Sequence, residues 1–130
     1  MLNWCNLGDE KIEKVVHSYI SSRFFTGDHL DAHAIRISKI DLSELKEDGY
    51  GDGWFRGDQL PEVLSKGMKF VDSWLPSEKI PWFLDEKEIR SSEVFIYPWS
   101  IYFHGTCPTA AEIIFVRPKD KLVYFFGGKT

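Results

Sequence analysis

Cysteine is scarce in this 130-residue chain, which has Cys5 and Cys107 and no others. Two thiols so far apart do not make a disulfide framework, so the expectation is a pair of reduced cysteines. No apolar run approaches the roughly 18 residues that a membrane-spanning helix needs. The start, 1-MLNWCNLGDEKIEK-14, lacks the basic opening and apolar stretch of a secretory leader. Together these place the chain in the cytoplasm as an expectation. Basic runs are missing too. With 16 Lys+Arg against 20 Asp+Glu the net charge is -4, which disfavours nucleic-acid binding through phosphates. The Walker-type, dinucleotide-type and nucleophile-elbow glycine patterns are all absent, so no cofactor is implied.

What the chain does have is aromatic weight. Aromatics are 15% of its residues, with five Trp, five Tyr and ten Phe, against 43% hydrophobic and 28% charged residues overall. That is a globular balance, and the length suits one domain spanning 1–130. Large aromatic side chains build dense cores, and where exposed they anchor partners.

The periodicities give an order of elements. Ile12, Val15, Val16, Tyr19 and Ile20 recur at helical spacing, so 9–25 is expected to be an amphipathic helix with Asp9 as its N-cap. Residues 34–42 alternate, as a strand near a sheet edge does. A loop rich in Gly and Asp runs over 43–59. Helical spacing returns over 60–75, where Leu60, Val63, Leu64, Met68, Val71 and Leu75 form a stripe, Phe70 and Trp74 flank it, and Pro61 fits the first turn. Residues 93–105 read as a strand that Pro98 bends or bulges. Residues 112–128 read as a hairpin about the turn 117-RPKDK-121, apolar on both faces and therefore central in its sheet. The expected fold class is α+β: a largely antiparallel sheet of four to five strands with two packed helices.

Four stretches carry possible chemistry. In 29-HLDAH-33, His29, Asp31 and His33 point to one side if the segment is extended, and His29 and His33 are one turn apart if it is helical, so either way the two imidazoles can converge with a carboxylate. Zinc accepts such ligands but needs a third or fourth from elsewhere, so His29, Asp31 and His33 are weak metal candidates. In the Gly-Asp loop, Asp48, Asp52 and Gly53 match part of a calcium loop, but Gln59 stands where the bidentate Glu is required. The same loop reads better as a binding element, with Tyr50, Trp54 and Phe55 as anchors among Asp48, Asp52 and Asp58. The alternative is that Trp54 and Phe55 tuck into the core. The segment 82-WFLDEKE-88 adds Trp82, Asp85, Glu86 and Glu88, and the two segments together would make one acidic, aromatic face. In 102-YFHGTC-107, His104 and Cys107 offer a base and a thiol.

His104-Gly105-Thr106 also resembles the strand motif of ADP-ribosyltransferases, in which the His contacts the nicotinamide nucleotide. The likeness covers three residues. In that family the motif lies early in the domain, with aromatic and Glu motifs after it. Here it lies late, and Glu112 is the one carboxylate suited to the later role.

The whole profile is similar in style to bacterial immunity proteins, which are small, acidic and without catalytic motifs. The expectation is therefore a binding protein, not an enzyme, that occludes a basic protein partner such as a toxin domain. Acidic residues would steer the encounter and aromatics would bury against the partner. An inhibitor of phage or plasmid origin would share that mechanism. The rival class is an enzyme that uses His29, Asp31 and His33 with a metal, or His104 with Cys107.

Overall fold

The computed structural model describes residues 12–21, 29–40, 45, 53–75 and 78–129. Its centre is an antiparallel sheet of six strands in the order β1-β2-β6-β5-β4-β3. The strands are β1 (Ile12–Ile20), β2 (His29–Ile37), β3 (Phe55–Arg56), β4 (Phe95–His104), β5 (Cys107–Arg117) and β6 (Leu122–Lys129). Two helices accompany it, α1 (Glu62–Trp74) and the single turn α2 (Glu86–Ile89).

The C-terminal hairpin occupies the middle of the sheet, as its two apolar faces require. Ile113, Ile114, Phe115, Val116 and Val123 all have zero exposure. Alternate residues face opposite layers. On one face Ala32, Ala34, Ile113, Phe115, Tyr124 and Phe126 pack against Leu64, Met68, Phe70 and Val71 of α1 and against Ile80, Phe83, Leu84, Ile89 and Val94. Phe83 joins these groups, edge-on to Phe115 and Tyr124 at 5.8 and 5.5 Å between ring centres. On the other face Ile35, Ile37, Ile114, Val116 and Val123 meet Leu45 and Trp54. Among the described residues no helix is long and apolar enough to cross a membrane.

The first expected helix is instead a strand. Residues 12–20 form β1, paired antiparallel to β2. The pairing slips between Ile12 and Lys14 and again between Val15 and His17. Each bulge inserts one residue into β1, which spreads the apolar positions to 12, 15, 16, 19 and 20. Two bulges thus imitate a helical period. The β-branched residues Ile12, Val15, Val16 and Ile20 suit the strand. The strand count rises to six, and β2 starts earlier than its alternation indicates. The Gly-Asp loop yields the two-residue edge strand β3, paired to Phe95 and Ile96.

Other expectations correspond closely. Helix α1 falls inside 60–75, although Val63, placed on its apolar stripe, is 70% exposed and Phe70 is buried. The bend at Pro98 is a register shift between Pro98 and Ser100. Between β5 and β6 a single 3-10 turn over Pro118–Asp120 closes on Lys121, whose φ of 56° is left-handed.

Gly57 ties β3 to the segment that follows α2. Its amide donates to the carbonyl of Val94 at 2.8 Å. A Cβ there would lie 2.0 Å from the carbonyl oxygen of Ile89 and 2.8 Å from that of Ser91. Backbone cannot move aside as a side-chain tip can, so Gly57→Ala is expected to destabilise the fold by about 3 kcal/mol. Urea unfolding measures this directly. An unchanged midpoint would mean that β3 and the Ile89–Val94 segment are not in contact.

Candidate functional site

Strand β2 answers the question posed by HLDAH. His29, Asp31 and His33 lie on the strand face opposite Leu30 and Ala32. At about 3.3 Å per residue, the ends of a five-residue strand segment stand roughly 13 Å apart. The two imidazoles are therefore set on either side of Asp31 along the strand. Among the described residues no group of three His, Cys, Asp or Glu side chains could hold a metal.

His33 instead makes local contacts. It lies opposite Ser18 in the β1–β2 register, and the Ser18 hydroxyl sits 2.8 Å from its Nδ1. Its ring stacks on Phe125 at 5.8 Å between centroids. Burial lowers its pKa from the usual 6.5, and the charge of Asp31 opposes that shift. A neutral imidazole beside a hydroxyl is the first half of a nucleophile–base pair.

The expected acidic and aromatic face comes out differently. Trp54 and Phe55 are 4% and 7% exposed, so their roles as surface anchors give way to the core alternative. They leave the surface on opposite sides of the sheet. Trp54 packs against Tyr97 at 5.3 Å between ring centres, and Phe55 joins the helix-side core. Trp82 is half-buried and stacks on His17 at 5.0 Å. Asp48, Tyr50 and Asp52 lie outside the described residues.

The two segments do neighbour each other through Gly57 and Ile89, yet their carboxylates mostly serve the fold. Asp58 pairs with Arg56. Asp85 caps α2, accepting from the Glu88 amide at 2.8 Å, while Glu88 Oε1 accepts from the Asp85 amide in return. Glu88 also bonds Arg117, which further donates to Asp120 at 2.7 Å and to the Tyr124 hydroxyl at 3.2 Å. Burial raises the Tyr124 pKa against the pull of Arg117. Arg90 grips Asp72 with two bonds, at 3.0 and 2.6 Å, and reaches Glu86 at 4.0 Å. Three arginines thus neutralise much of the field expected of this face. Beside it a cavity of about 510 Å³ is floored by Leu75, Ile80, Phe83 and Leu84 and rimmed by Asp85 to Glu88.

Exposed aromatics gather elsewhere, on β4. Trp99 is 44% exposed, Tyr102 64% and Phe103 39%. Sequence alternation misses them because the bulge at Pro98–Ser100 resets which residues face out. The signal that was available is the run 99-WSIYF-103 directly after a strand proline. Strand β3 pairs only with Phe95 and Ile96, so from Ser100 to His104 no strand among the described residues lies on the outer side of β4. A groove of about 200 Å³ runs beside it, lined by Phe55, Pro61, Val63, Leu64, Pro98 and Ile101. Every one of these side chains is apolar. Among the described residues, the β4–β5 hairpin extends beyond the last β5–β6 pair, Ala110 with Lys129. His104 and Cys107 face each other across its end.

No protein-family model, no curated protein and no solved structure matches this chain.

Two measurements check this geometry. A histidine held neutral by the fold binds fewer protons than its unfolded counterpart, so stability is full above about pH 6.5 and falls as the pH drops below it. Denaturation between about pH 7 and 5.5 should show that slope, and His33→Gln should flatten it. A slope unchanged in the variant would assign it to another group. Arg117→Met leaves Glu88 and Asp120 without their cation and is expected to cost about 1–2 kcal/mol, discounted for partial exposure. A neutral result would mean that the Arg117 network is fully screened by solvent.

Proposed function

We propose that this chain is a binding protein that occludes a basic protein partner, in the manner of the immunity proteins that block toxins. The observation that carries the reading is the flank of β4. A strand stretch open among the described residues runs beside an apolar groove that includes Val63, and Tyr102 and Phe103 are exposed on that same stretch of β4. An extended segment of the partner would add to β4 as a further strand and set its apolar side chains into the groove. Affinity would come from the backbone pairing and the aromatic contacts. The net charge of -4 would act on the encounter rate more than on the bound state, since the carboxylates nearest α2 already have partners.

Native mass spectrometry of the protein purified from its source cells is expected to show a one-to-one complex with a basic protein. Tyr102→Ala combined with Phe103→Ala should weaken that complex at least tenfold, mostly through faster dissociation. Added salt should slow association. A chain recovered without a partner, or a partner held equally tightly by the double variant, would contradict the proposal.

One observation favours a second reading. Ser18 beside the neutral His33, with Asp31 next along the same strand face, is a starting arrangement for a hydrolase. A fluorophosphonate probe should then label Ser18, with His33→Gln abolishing the labelling. No labelling would set that reading aside.

A further inference from the structure

We propose that the end of the β4–β5 hairpin is half of a structural zinc site, completed by the same two residues of a second copy of this chain. His104 and Cys107 are register partners flanking the two-residue turn Gly105–Thr106. Both are exposed, and Cys107 is a free thiol. Gly105 takes a φ of 65°, and nothing lies within 4 Å of where its Cβ would be, so the turn is tight and open to approach.

The spacing matters. Structural zinc sites commonly draw two ligands from one tight turn, with two to four residues between them. The Cβ atoms of directly opposed residues in an antiparallel pair stand about 4.5–5.5 Å apart. That separation lets a sulfur at about 2.3 Å and an imidazole nitrogen at about 2.0 Å meet on one ion. An imidazole and a thiolate fill two of four tetrahedral positions. A two-fold axis through the metal supplies the same pair again, giving two nitrogens and two sulfurs with no net charge once both thiol protons pass to solvent.

The second copy follows from where the turn sits. The turn and the residues beside it, from Tyr102 to Cys107, are all exposed. Two such ends can meet tip to tip while the sheets stay apart. Phe103, 39% exposed and adjacent to His104, would flank the ion and lose water on association. This inference does not rest on the partner-docking reading, which shares Phe103 but uses neither the His104 imidazole nor the Cys107 thiol.

The test uses the full chain, by light scattering and metal analysis, with zinc and then with a chelator. Zinc is expected to convert monomer to dimer at one ion per two chains, and chelation to reverse it. Cobalt in place of zinc should give a thiolate charge-transfer band. Cys107→Ser and His104→Ala should each abolish the uptake and the dimer while leaving circular dichroism unchanged, since both residues are exposed. Phe103→Ala should keep the ion. Uptake no greater than that of Cys107→Ser would overturn the proposal. So would one ion per monomer, lost on Cys5→Ser, because the chain would then complete the site itself.

Discussion

The structure depends on keeping water from both faces of the β5–β6 hairpin. Ile113 through Val116 are buried without a break, and Val123, Tyr124 and Phe126 face them across the ladder. A run apolar on both sides cannot lie at a sheet surface, because either face left open would expose several large side chains. The hairpin therefore takes the two central positions, with β2 beside β6 and β4 beside β5. One layer of cover comes from α1 and the segment around Phe83. The other includes Leu45 and Trp54. Trp54 and Phe55, neighbours in sequence, point into the two layers and fasten the edge strand between them.

The same demand explains what the sequence made legible. The central hairpin, α1 and the irregularity at Pro98 each announce themselves by a local pattern that tertiary structure does not alter. Strand β1 does not. Its apolar spacing is the sum of two bulges, and a bulge is fixed by the partner strand, which periodicity along one chain does not reveal. Trp54 shows a related limit. Glycine and aspartate on either side make its neighbourhood polar, yet one aromatic in such a loop can reach the core when the loop crosses a sheet face.

The candidate site was harder to read for a physical reason. Charged residues close in sequence invite the idea of a field directed outward. Here Arg56, Arg90 and Arg117 arrive from separate elements and take up Asp58, Asp72, Glu88 and Asp120. Arg56–Asp58 and Arg117–Asp120 are local, but Arg90–Asp72 and Arg117–Glu88 span 18 and 29 residues of sequence and leave no local trace. Among the described residues, one surface that presents exposed aromatics is the β4 side of the sheet. It exists because β3 is two residues long and, among the described residues, no other strand covers the outer side of the ten-residue β4. Natural sheets seldom leave such an edge bare, which is why the proposed function places a partner there.

Amide hydrogen exchange along β4 tests that central claim most directly. The amides of residues 113–116 and 123–126 are expected to exchange slowest, at the rate of global unfolding, since they sit between paired strands under two covered faces. Outward-pointing amides between Ser100 and His104 should exchange fast in the isolated chain and slow down when the partner binds. Strong protection of those amides without a partner would show that the edge is already paired, and would remove the surface on which the proposed function stands.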